Sequence, residues 1–210
     1  MTDPRARLLD LIATLSFRLG DFTLASGQKS DYYIDCRITT LHAEGGRLAG
    51  IVLLDLIREH FPSAVAVGGL TMGADPLVSN TASASAWELA DHTEFLEFEP
   101  DQDHGPAPTL IQGFLVRKTE KTHGTGRQIE GFLEPGAQVV IVDDVCTTGG
   151  STIQAIQAAR QAGMIVTGVL CLVDREQGGR KHIEATLPNI PFLSVFTASD
   201  VRKAHTNLVP

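Results

Sequence analysis

The sequence predicts a single α/β domain, a parallel β-sheet flanked by helices, with a small β segment of its own near the N-terminus. Three observations carry this. Val139-Val140-Ile141-Val142 is an uninterrupted apolar run of β-formers, the pattern of a strand covered on both faces, and such strands belong to parallel sheets. A short loop and a helical repeat follow it, and the same strand, loop and helix succession recurs where residues 64–69 lead through 70–74 to Asp75-Pro76. The length of 210 residues fits one such domain with a substantial core.

The elements can be justified in order. Asp3 before Pro4 is an N-cap acid with proline in the first turn, and Leu8, Leu11, Ile12 and Leu15 share one face of the helix that it opens. From Phe22 to Arg37, two β-like runs flank a Ser26-Gly27 turn, which reads as a hairpin or short extended segment. His42 to His60 reads as a helix through Leu48, Ile51, Val52, Leu54, Leu56 and Ile57, with Gly45, Gly46 and Gly50 pointing to close packing. Asp75 with Pro76 repeats the acid-proline helix start. Residues 91–103 hold six acids and no Lys or Arg, and with the turn-rich 104–108 they read as an inserted surface loop. A strand ending at Val116 delivers Arg117, Lys118, Lys121, His123 and Arg127, a local basic patch among glycines. After the strand 139–142, Ile153, Ile156 and Ala159 recur at helical spacing until Gly163 stops the helix. Residues 165–173 form another strand ending at Asp174-Arg175, 191–196 the last strand, and 198–204 a short closing helix.

Composition narrows the function classes. Lys and Arg number 17 against 25 Asp and Glu, a net charge of −8, which argues against a general affinity for nucleic acid or anionic membranes. An anion site must therefore be local. Cys36, Cys146 and Cys171 lack C-x-x-C spacing, and the seven histidines lack i, i+4 pairs, so neither a disulfide framework nor a transition-metal cluster is expected. With no apolar signal core and no apolar run near the roughly 20 residues of a membrane span, the expectation is a soluble, unprocessed protein of a reducing cytoplasm.

The chemistry concentrates between Val139 and Thr152. Asp143 and Asp144 sit where the apolar strand is expected to stop, and Thr147-Thr148-Gly149-Gly150-Ser151-Thr152 opens the next helix. A glycine-rich loop at a helix start offers backbone N–H groups and the positive end of the dipole to a phosphate. Carboxylates would repel that phosphate, so they must face hydroxyl donors or a cation, such as ribose hydroxyls or magnesium. The stretch asks for a sugar phosphate. A P-loop would need a Gly-Lys dipeptide, which is absent, and Gly124-Thr125-Gly126 lacks the third glycine of a dinucleotide fingerprint.

The segment VVIVDDVCTTGGST resembles the phosphoribosyl diphosphate (PRPP) signature of type I phosphoribosyltransferases, in which the acids are associated with the ribose hydroxyls and the loop holds the 5′-phosphate. That motif is silent about the base. Two further segments resemble the orotate phosphoribosyltransferases: Ser30-x-Tyr32-Tyr33-x-Asp35 their N-terminal hood, and Arg117-Lys118-x-x-Lys121-x-His123-Gly124 their mobile catalytic loop. The resemblance implies a hood over about residues 1–40, a mobile loop over about 118–131, and a homodimer whose loop reaches the neighbouring site. It implies that Asp143, Asp144, Lys121 and His123 are catalytic. Arg117, Lys118, Thr147, Thr148, Gly149, Gly150 and Ser151 would join them in binding PRPP, with Mg2+ arriving through the pyrophosphate and no metal ligand assigned to the chain. Tyr33, Thr147 and Arg175 would bind orotate, Arg175 through its carboxylate, to which a guanidinium presents a planar fork of donors. Taken alone, Arg175 would more readily pair with Asp174 or Glu176. The chain departs from the family at Ala25 and at Met72-Gly73, where many members carry a lysine preceding Ser-Gly and Tyr-Lys respectively. A phosphoribosyltransferase for another base, and a PRPP-binding regulator without turnover, remain open at this point.

Overall fold

In the computed structural model, which describes residues 3–23, 29–98, 105–118 and 128–208, the Asp3 carboxylate accepts from the Arg5 amide at 3.1 Å and starts helix α1 (Pro4–Leu11). A π-helical stretch, Ile12–Ser16, leads into strand β1 (Phe17–Thr23), which pairs antiparallel with β2 (Lys29–Ile34). This is the expected hairpin, beginning at Phe17 rather than Phe22; its Ser26-Gly27 turn and Ala25 lie outside the described residues. A single turn, α2 (Arg37–Thr40), precedes α3 (Ala43–His60), whose first turn is capped by the His42 ring accepting from the Gly45 amide.

The main sheet is built from β3 (Ala66–Leu70), β4 (Gln112–Val116), β5 (Ile129–Gly131), β6 (Gln138–Cys146), β7 (Ile165–Asp174) and β8 (Phe192–Thr197), in the spatial order β5-β4-β3-β6-β7-β8. All neighbours are parallel except the β4–β5 pair. The helices α4 (Asp75–Phe98), α5 (Gly150–Gln161), α6 (Gly179–Thr186) and α7 (Ala198–Leu208) complete the chain. Side chains alternate across the central strands into two apolar layers. Val140 and Val142 of β6 and Leu170 and Leu172 of β7 join α1, α3, α4 and α7, while Val139, Ile141, Val169 and Cys171 join α5 and α6. Each fully buried Val, Ile or Leu contributes about 1.5–3 kcal/mol, so it is coverage of both faces that holds the parallel strands together.

Several expectations are corrected. Residues 91–98 are not a surface loop but the exposed end of α4; Glu94, Leu96 and Glu97 are good helix formers that charge counting alone overlooks. Residues 99–104 lie outside the described set. Asp143 and Asp144 are not at the end of their strand, because β7 runs on to Asp174 and its backbone pairs with β6 as far as Cys146. The expected loop 118–131 ends in a paired strand, Ile129 lying opposite Val116. The helices α2 and α6 were not anticipated, and α7 continues to Leu208 rather than ending near 204. No described helix is long and apolar enough to cross a membrane.

Candidate active site

The chain leaves β3 for β4 on one side and returns to β6 on the other, so the strand order reverses between β3 and β6. In an open parallel sheet such a switch point opens a crevice beyond the carboxyl ends of the strands. Here β3 and β6 are paired only as far as Gly68 and Ile141, and past that point they border a cleft of about 670 Å³. Asp143, Asp144, Thr147 and Ser151 line it from β6 and the following loop, Arg117, Lys118 and Glu130 from the β4–β5 neck, Tyr33, Asp35 and Arg37 from the N-terminal segment, Met72 and Gly73 after β3, and Arg175 after β7.

The acid pair is held in an unusual setting. Asp143 is almost fully buried, and its Oδ2 accepts from the Thr152 hydroxyl at 2.5 Å. Burial pushes its carboxyl up to about 7, with the Thr152 hydrogen bond opposing and the Asp144 charge adding to the rise. Burial also raises Asp144, opposed by the Val145 amide and the Arg37 charge. Acids whose charged form is penalised by burial call for hydrogen-bond donors to replace the lost hydration, and hydroxyl groups are such donors. Gly73 lets the chain after β3 pass against this pair, since a Cβ there would stand 2.2 Å from Asp144 Oδ1.

The loop after β6 turns sharply into α5. Gly149 supplies the left-handed N-cap residue, φ 79°, and a Cβ there would meet Ile183 Cγ1 at 2.8 Å and the Gly179 carbonyl at 2.9 Å. Thr148 is fastened through its carbonyl to the His182 ring at 2.8 Å. Thus Thr147 and Ser151 line the cleft, whereas Thr148, Gly149 and Gly150 shape the loop and leave the first amides of α5 beside it. Cys146 is buried, its sulfur placed where a Cβ on Gly179 would meet it, so it packs toward α6 and is not among the residues lining the cleft.

Arg117 and Lys118 stand at the neck of a hairpin. The Arg117 amide donates to the Gln128 carbonyl at 2.9 Å, Gln128 Nε2 donates back to the Arg117 carbonyl at 3.1 Å, and Gln154 of α5 holds the Lys118 carbonyl at 2.8 Å. Arg117 Nη1 lies 3.4 Å from Glu130. Lys121, His123, Gly124, Gly126 and Arg127 lie outside the described residues.

Arg175 is only 6% exposed. The two acids expected to neutralise it are occupied: Asp174 accepts from the Glu176 amide and from Arg180, and Glu176 binds the Ser199 amide and hydroxyl. Among the described residues Arg175 has no carboxylate partner, and its buried Nε has no hydrogen-bond partner. A buried unpaired guanidinium lining a cleft is a receptor for an anion.

Sequence reasoning missed Arg37 and Thr152. Arg37 forms two 2.8 Å hydrogen bonds with Asp35, through Nε and Nη2, which hold the Asp35 carboxyl below the usual carboxylate range. The Asp-x-Arg spacing was a usable signal. Thr152 had none, since its role depends on the helix curling back over β6. Among the described residues, no group of three or more His, Cys, Asp or Glu side chains is gathered to hold a metal.

The phosphoribosyl transferase domain family matches residues 111–198, the part of the chain that carries β4 through β8. An orotate phosphoribosyltransferase of Nostoc sp. is 40% identical over 205 residues, covering 97% of this chain and 88% of that protein. Among solved structures, the Mycobacterium tuberculosis orotate phosphoribosyltransferase in complex with Fe(III) dicitrate is 34% identical, with a TM-score of 0.73 over 95% of this chain and 99% of that one. Its complex with PRPP aligns with a TM-score of 0.66 at 29% identity, over 94% and 91%. A likeness that runs nearly end to end, through the N-terminal hairpin as well as the sheet, is more than a shared phosphoribosyl motif: the chain belongs to the orotate phosphoribosyltransferase family.

Proposed function

We propose that the protein is an orotate phosphoribosyltransferase, transferring the ribose 5-phosphate of PRPP to orotate to give orotidine 5′-monophosphate and pyrophosphate, a step of pyrimidine biosynthesis. The observation that carries this is one cleft holding both an acid pair, the buried Asp143 and the half-buried Asp144, and a buried guanidinium, Arg175, with no carboxylate partner among the described residues. The pair suits a ribose diol and the guanidinium suits the carboxylate of orotate. A purine offers no such anion.

In the mechanism, Thr147, Ser151 and the backbone of 148–150 hold the 5′-phosphate at the start of α5. Asp143 and Asp144 accept hydrogen bonds from the ribose hydroxyls and stabilise positive charge as the anomeric carbon becomes oxocarbenium-like. Arg175, together with Tyr33 and Thr147 of the same cleft, presents the orotate nitrogen to that carbon. Arg117, Lys118 and Lys121 balance the departing pyrophosphate, and His123 orders or protonates it. Magnesium would arrive bound to the pyrophosphate of the substrate, with no residue of the chain assigned as its ligand. Bound there, it would neutralise leaving-group charge. The hood over about residues 1–40 and closure of the loop over about 118–131 exclude water from the cationic sugar. Three buried thiols accord with a reducing cytoplasm.

The test is the loss of orotate absorbance on adding PRPP and magnesium, with a purine base in place of orotate as the contrast. Consumption of the purine and not orotate would reassign the base. In the homodimer we propose, the loop of one subunit enters the site of the other. Co-expressing Lys121→Ala with Asp144→Asn should then restore about a quarter of wild-type activity, since about half the dimers carry one intact site. No recovery in verified heterodimers would confine Lys121 to its own subunit.

A further inference from the structure

We infer that Tyr32 is a positioning residue for base recognition: its side chain holds the Arg175 guanidinium so that the N–H edge stays free for the anionic base. The inference rests on the reading of Arg175 as the carboxylate receptor. A guanidinium this deeply buried is normally fixed by an acid, and no described carboxylate serves it. Its side-chain contacts are of another kind. The guanidinium carbon lies 4.8 Å from the centroid of the Tyr32 ring, the Tyr32 hydroxyl donates to the Arg175 carbonyl at 3.4 Å, and Arg175 Nη2 donates to Ser30 Oγ at 3.4 Å.

The ring is itself anchored from two other elements. Phe17 of β1 stacks on it with centroids 5.5 Å apart, and the guanidinium carbon of Arg202, from α7, lies 5.0 Å from it while Arg202 Nη2 binds Asp31 at 2.8 Å. A ring held this way attracts the cation through its electron-rich face without using up the N–H groups, which an acid partner would occupy. Tyr32 thereby positions Arg175 as a carboxylate would elsewhere, and leaves it able to bind the anionic base. The residue belongs to neither the ribose end nor the phosphate loop, so its influence should be confined to the base.

Steady-state kinetics with orotate and PRPP as separately varied substrates test this in the intact enzyme. Tyr32→Leu should raise the KM for orotate about tenfold, with the KM for PRPP within about twofold of wild type. Tyr32→Phe, which keeps the ring, should recover most of that loss. In an Arg175→Ala background, Tyr32→Leu should add little to the KM for orotate, because the ring then has nothing to position. Equal rises in both KM values, or a full additive loss in the Arg175→Ala background, would overturn the inference alone. A wild-type protein that does not consume orotate, or an Arg175→Ala variant with unchanged KM for orotate, would overturn the carboxylate-receptor reading and the inference with it.

Discussion

The two ends of the cleft are built on opposite plans. The ribose-phosphate end comes from one continuous stretch, in which the acids on β6, the loop and the start of α5 lie within ten residues of one another. The base end is assembled from Ser30, Tyr32, Arg175 and Arg202, which meet only when the hairpin, the β7 end and α7 pack together. Each end also buries charge differently. Burial, with the Asp144 charge beside it, makes Asp143 tend to hold its proton although the Thr152 hydroxyl opposes this, whereas Arg175 is buried against an aromatic ring. A continuous site can afford local repulsion because the backbone of one strand and helix enforces it. An assembled site depends on side-chain packing for its geometry.

This contrast can be broken or sharpened experimentally. The largest effect should lie at Asp143. Burial lifts its carboxyl from 3.8 to about 7, so between those values the folded protein keeps a proton that the unfolded chain releases. Its stabilising contribution is therefore present below about pH 4 and lost as pH rises through about 7. Asp143→Asn should be more stable than wild type at pH 8 by on the order of 4 kcal/mol and nearly equal at pH 4, as read by denaturant unfolding. Equal stability at both pH values would mean that the acid is not strained by burial. The same variant should lose PRPP affinity, so stability and function would move in opposite directions.

Asp144→Asn should reduce kcat/KM for PRPP by about 1.5–3 kcal/mol, roughly 10- to 150-fold, the worth of a hydroxyl hydrogen bond to a charged group. Unchanged PRPP kinetics would remove the acids from the site. At the other end, Arg175→Lys keeps the charge but loses the planar fork, and the affinity for orotate should fall about tenfold with PRPP nearly unaffected. Matching losses for both substrates would give Arg175 a structural role instead.

The smallest effect should come from Gly73→Ala. The new Cβ would press on Asp144 Oδ1, the terminal atom of a side chain, so the carboxylate should move while the fold stays. The KM for PRPP should rise about three- to tenfold, as for a modest displacement of a binding group, with the unfolding midpoint unchanged. A lowered midpoint with normal kinetics would show that the backbone yields rather than the acid.

What the sequence determined by itself is what neighbouring residues determine together. The Val139–Val142 run and the Thr-Thr-Gly-Gly-Ser-Thr loop specify a buried strand and a helix start through local pattern, and the structure places these two so. Arg175 was legible because it follows a strand that had to end at the ligand edge of the sheet. Tertiary structure decided the rest. The extension of β6 through Asp143 and Asp144 depends on how far β7 runs beside it, a pairing that no local pattern encodes. Whether Arg175 would pair with Asp174 or remain free was settled by Arg180 and Ser199, which take up the neighbouring acids from α6 and α7. The Tyr32 contact arises the same way, and even the short-range Thr152 hydrogen bond needs α5 to fold back over β6. A side chain's chemistry is written at its own position, but its partners are chosen by the packing of elements distant in the chain.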